Sequence, residues 1–81
     1  MKVKFTACGG WDYEKDSAKK ELILGDEYIV EWIIIDSWST YLRLENGKSY
    51  NHCLFQTDPV IEEIIRTGKY DGDDVKVSVR C

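Results

Sequence analysis

Residues 22–56, LILGDEYIVEWIIIDSWSTYLRLENGKSYNHCLFQ, form the one part of the chain that reads as a complete piece of fold. From Tyr28 to Asp36 almost every residue is β-branched or aromatic; Ser37, Trp38 and Ser39 interrupt, and Tyr41, Leu42 and Leu44 resume, the pattern of two hairpin-connected strands. Asn46-Gly47 is a second reversal signal. Read as a type I′ turn, with positive φ at both residues, it returns the chain into a third short strand at Lys48 to Asn51. On the long strand one face carries Tyr28, Val30, Trp32 and Ile34 and the other Ile29, Glu31, Ile33 and Ile35, so both are apolar except at Glu31. In so short a chain, a strand apolar on both faces is expected to bend from one sheet into another, which is how small barrels close.

On the N-terminal side, Val3, Phe5 and Ala7 alternate with Lys2, Lys4 and Thr6 as a half-buried strand, which Cys8-Gly9-Gly10 breaks. Residues 11–21, WDYEKDSAKKE, show neither period and read as a long loop with room for a helical turn. Leu22 and Leu24 are expected to rejoin the core before the Gly25-Asp26 turn. On the C-terminal side, DPVIEEIIRTG is a helix signature over 58–67: Asp58 at the N-cap, Pro59 at the first helical position, Gly68 as the stop. Val60, Ile61, Ile64 and Ile65 are expected on its buried side and a Glu62–Arg66 pair on its outer side, so that it caps the open end of the barrel. Asp71, Asp73 and Asp74 lie in a turn, and Val75, Val77 and Val79 mark a last strand, expected beside the first. The reading is therefore mainly β with one short α-helix: a single domain, 1–81, of about five antiparallel strands.

Eighty-one residues allow one thin core, and 43% apolar residues with 32% charged suit a globular chain. Residues 1–20 carry five Lys against Asp12, Glu14 and Asp16; residues 21–81 carry six basic and twelve acidic groups. That acidic body disfavours nucleic-acid binding, which needs basic groups gathered on one face. Met1-Lys2 leads directly into a strand pattern and Trp32 to Ile35 is too short to cross a bilayer, so a cytoplasmic protein without membrane contact is expected. Cys8, Cys53 and Cys81 are odd in number and lack CxxC spacing, which reads as reduced thiols.

Nothing in the chain has the spacing of a catalytic motif. His52-Cys53 could be an activated thiol, but neighbours on an extended segment point to opposite faces. With Cys8 and Cys81 they are too scattered for a zinc site, and the aspartates at 71, 73 and 74 lack the glutamate of a calcium loop. No catalytic residue, metal or cofactor is expected. Glu62, Glu63, Asp71, Asp73 and Asp74 could form a continuous negative surface, though a solvated helix face and turn account for them. More telling are the aromatics outside the regular pattern: Trp11 and Tyr13 in the loop, interleaved with Asp12, Glu14 and Asp16, and Trp38 at a hairpin tip. Such rings either cover a barrel edge or anchor an interface, and Trp11, Asp12, Tyr13, Glu14 and Trp38 are the candidate binding residues for a basic or extended peptide.

Leu24-Gly25-Asp26-Glu27-Tyr28-Ile29-Val30, followed by Asp36, Ser37 and then Gly47-Lys48-Ser49-Tyr50-Asn51-His52-Cys53-Leu54-Phe55, resembles the small SH3-like barrel proteins of phages, prophages and Gram-positive bacteria. The resemblance covers somewhat under half the chain. It implies an SH3-like fold, with Leu24, Tyr28, Val30, Leu54 and Phe55 in the core, and a mobile-element accessory protein that acts by binding. The expectation is thus a non-enzymatic protein that binds a host protein, with inhibition of a host defence system of the CRISPR or restriction type as the candidate role. The alternative is an oligomeric sponge for a small ligand or nucleotide, using Lys15, Lys19 and Lys20. Third comes nucleic-acid binding through Lys2, Lys4, Lys76 and Arg80. Pairing of two copies through a strand edge stays open.

Overall fold

The computed structural model describes residues 1–9 and 11–80; Gly10 and Cys81, read above as part of a strand break and as a thiol, lie outside the described residues. The strands are β1 (Lys2–Phe5), β2 (Glu27–Ile35), β3 (Thr40–Leu44), β4 (Ser49–Asn51), β5 (Phe55–Gln56) and β6 (Lys76–Val79), with helices α1 (Asp12–Lys19) and α2 (Pro59–Thr67) and a 3₁₀ turn at His52–Leu54. The architecture is mainly β.

β2 is the hub. Its first half pairs with β1, Lys2 opposite Ile29 and Lys4 opposite Glu27, and β1 pairs in turn with β5. Its second half pairs with β3, which pairs with β4, giving the order β4-β3-β2-β1-β5. The bend between the halves has a local cause. Val30 faces Leu44 but Trp32 faces Arg43, so Glu31 is an extra residue on β2, a β-bulge that turns the strand. It also resets the alternation. Val30 and Ile33, which an unbroken strand would place on opposite faces, are both fully buried. Ile33 and its cross-strand partner Leu42 then continue the core, while Trp32 and Ile34 turn outward.

The two ends of this sheet are joined by chain. Asn51 caps the 3₁₀ turn, its Oδ1 accepting from Cys53 N at 3.1 Å, and the turn delivers Leu54 and Phe55 into the core beside Phe5. The result is a mainly-β open sheet of order β4-β3-β2-β1-β5, with the 3₁₀ turn leading into its last strand. α2 forms and is capped as expected: Asp58 Oδ1 accepts from Ile61 N at 2.9 Å, Ile61 and Ile64 are buried, and Gly68, at φ +71°, ends the helix.

Several expectations are corrected. Among the described residues there are six strands, the addition being β5, whose two residues are too short to carry a pattern. β6 lies beside β2, parallel to it, and not beside β1; it occupies the stretch of that edge which β1 leaves free. The loop over 11–21 is mostly the helix α1. The Asn46-Gly47 reversal is not type I′, since only Gly47 has positive φ (+82°); four residues connect the strands, and Asn46 Oδ1 braces the turn by accepting from Lys48 N at 2.9 Å. Leu24 is 60% exposed and Val60 53%, so neither is core, and Arg66 pairs with Glu63 in place of Glu62. Tyr28 is half-buried, with its hydroxyl accepting from Ile23 N at 2.7 Å.

Candidate functional site

α1 forms where hydrophobic periodicity gave no sign of a helix. Trp11 occupies the N-cap, its backbone N–H donating to Glu14 Oε1 at 3.1 Å, and Asp12 and Glu14 put negative charge in the first turn, where helix-end amides favour it. Ala18, and Leu22 just beyond, are buried and fasten the helix to the core. Between helix and hairpin lies an open groove of about 450 Å³. Glu14, Ser17, Ala18 and Glu21, at helical spacing, make one wall with Tyr13 at its rim; Tyr41, Tyr50, Asn51 and Leu54 make the other wall and the floor. Lys48 Nζ, 2.5 Å from Glu21, bridges the two walls, and that bond to the carboxylate raises the lysine above its ordinary pKa.

The groove thus combines three tyrosines with two carboxylates and a single paired lysine. Comparison with known proteins adds nothing to this: no family model, curated protein or solved structure matches the chain.

Of the residues predicted from sequence, Tyr13 and Glu14 line the groove; Trp11 and Asp12 sit at the start of the same helix without lining it. Trp38 lies apart, in the β2–β3 connection, and is 94% exposed; Trp11 and Tyr13 are 69% and 72% exposed. Trp32 provides the contrast: its indole N–H donates to Ser78 Oγ at 2.8 Å and Lys76 Nζ lies 5.3 Å from its ring, so it is held within the sheet. Sequence reasoning missed Ser17, Glu21, Tyr41, Lys48 and Tyr50, because a wall made of polar and small residues leaves no apolar stripe to recognise.

The remaining candidates resolve as follows. Lys19 and Lys20 are exposed at the end of α1, and Lys15 is half-buried. Lys2 and Lys4 project from β1, and Lys76 from β6. His52 and Cys53 are in a 3₁₀ turn, contrary to the extended segment expected, and Cys53 Sγ is 4.0 Å from His52 Nδ1; that nitrogen already lies 3.1 Å from the Thr40 carbonyl oxygen. Among the described residues no group of three or more His, Cys, Asp or Glu is placed to hold a metal ion, and no helix is long and apolar enough to cross a membrane. The acidic residues beyond α2 are partly engaged: Asp74 Oδ1 accepts from the Tyr70 hydroxyl at 2.6 Å and Oδ2 lies 3.6 Å from the amino group of Met1. A second, more open depression of about 580 Å³ lies between α2 and the following loop, lined by Val60, Ile64, Tyr70 and Glu63 among others.

Proposed function

We propose that this chain is a non-enzymatic binding module that takes an extended, basic segment of a partner protein into the groove between α1 and the β3–β4 hairpin. The observation that carries this reading is the composition of that groove, tyrosines on both walls beside Glu14 and Glu21. Aromatic walls stack well against extended chains at low entropic cost, and the carboxylates select Lys or Arg. Trp11 and Trp38, exposed outside the groove, are further anchors for a larger interface. The resemblance to mobile-element barrels makes a host protein the partner, and a defence component the kind of host protein whose inhibition such a module would serve.

The test is selection of binders from a random peptide library, followed by affinity measurement. Peptides enriched in Lys or Arg, with affinity falling about tenfold or more in Tyr13→Ala and in Glu14→Gln, are expected. Enrichment of acidic peptides, or equal binding by both variants, would remove the groove from the reading. Trp38→Ala should leave stability within about 0.5 kcal/mol of the parent chain, because the ring packs against nothing.

A further inference from the structure

The fold brings together two exposed thiols that the groove does not use. β1 ends against the 3₁₀ turn: Thr6 N and Ala7 N both donate to the Leu54 carbonyl, at 3.0 and 2.8 Å, and Ala7, at φ +51°, is the only non-glycine residue in the left-handed region among the described residues. That turn carries the chain across the backbone of Cys53. Cys8 Sγ comes within 3.4 Å of the Cys53 carbonyl oxygen although the residues are 45 apart in sequence, and a Cβ added at Gly9 would stand 3.0 Å from Cys53 Cβ. Thr6 Oγ1 donates to Cys8 Sγ at 3.0 Å and holds that sulfur against the turn. Both cysteines are exposed, and Cys53 Sγ lies 4.0 Å from His52 Nδ1, so joining the two sulfurs takes a rotation of the Cys53 side chain.

We propose that Cys8 and Cys53 are a dithiol modification site, which reacts with low-mass disulfides to close a reversible intramolecular disulfide. One protein thiol, deprotonated by water, attacks a sulfur of the small disulfide RSSR; a protein–SR bond forms, the S–S bond breaks, and RS⁻ leaves and takes up a proton. The second protein thiol, also deprotonated, attacks the protein-side sulfur and expels the second RS⁻. The protein loses two electrons and two hydrogens, and RSSR is reduced to two RSH. The reaction is independent of what occupies the groove. Its product nevertheless ties the segment leading into α1 to the turn whose last residue, Leu54, is part of the groove floor.

The experiment uses the full chain carrying Cys81→Ser, so that only these two thiols report, treated with oxidised glutathione and followed by intact mass, peptide mapping and thermal unfolding. Expected are loss of both thiols, a mass lower by two hydrogens with no glutathione retained, a Cys8–Cys53 cross-linked peptide, and a Tm higher by about 5 °C or more that dithiothreitol reverses. Adding Cys8→Ser or Cys53→Ser should trap a retained glutathione on the surviving cysteine in at least one case. Persistent glutathione adducts on the two-thiol chain, cross-linked dimers, or unreacted thiols would each overturn the proposal.

Discussion

Asp74 illustrates how one exposed side chain organises the end of the chain. It receives the Tyr70 hydroxyl on one oxygen and faces the amino group of Met1 on the other, so it links the loop after α2 to the start of β1. The Tyr70 hydrogen bond, helped by Asp74's own backbone amide and the nearby ammonium, holds its carboxyl below the ordinary value of 3.8; the same bond holds the phenol above 10.0. A carboxyl whose folded pKa is depressed adds stability above its unfolded value, and the increment disappears as pH falls through the folded one. The phenol acts in the opposite sense, its increment present below 10.0 and lost as pH rises through the raised value. Asp74→Asn should therefore flatten the acid side of a Tm-against-pH profile, from about pH 5 downward, and leave the profile above that range lower but parallel until the phenol titrates. An unchanged acid slope would show that solvent has already screened the interaction.

Among the elements, β2 depends most on one residue that contributes nothing to the core. Glu31 is exposed, yet it is the extra residue that lets Val30 and Ile33 both point inward. Deleting it should leave Val30 and Ile33 two residues apart, so that both still face inward and Trp32 outward, but β2 loses the bulge that turns it from β1 toward β6. The expected outcome is a chain that keeps a dispersed amide spectrum but unfolds at lower denaturant, because the straightened strand fits its neighbours less well, whereas Glu31→Ala, which keeps the bulge, should fold with stability changed by about 0.5 kcal/mol or less. This residue also marks the limit of what the sequence made legible. The apolar faces of β2 said that it bends, and Asp58, Pro59 and Gly68 located α2, because capping and proline act on the local backbone and leave their mark locally. The bulge did not show, since it exists only in the register against Leu44 and Arg43, and the parallel docking of β6 on β2 is likewise a relation between distant residues. α1 was hidden for a different reason. Its groove wall is Glu14, Ser17, Ala18 and Glu21, and its cap is a tryptophan backbone amide bonded to Glu14, neither of which resembles the usual signals. Tyr13 and Glu14 were found as aromatic and acid in an unexplained segment; Tyr41 and Tyr50 were not, because as strand residues they already had an explanation.

The whole molecule has a Cα radius of gyration of 11.8 Å, against about 12 Å expected for a compact chain of this length, and one continuous core. A chain of this size is stabilised by only about 4–12 kcal/mol in total, so single core residues matter. Ile33 is fully buried where β3 and β6 flank β2, paired with Leu42 on one side and Val77 on the other. Ile33→Ala should cost about 2–5 kcal/mol in denaturant unfolding, enough to leave the variant near its unfolding threshold. The strand that completes this region, β6, is made well after β2 and β3. While the ribosome is still adding residues 76–79, β2 can already pair with β1 and β3, but the edge at Trp32 to Ile35 has no neighbour. A nascent chain, or one cut before β6, would therefore present an apolar, hydrogen-bond-hungry strand to its surroundings for as long as residues 76–79 are missing.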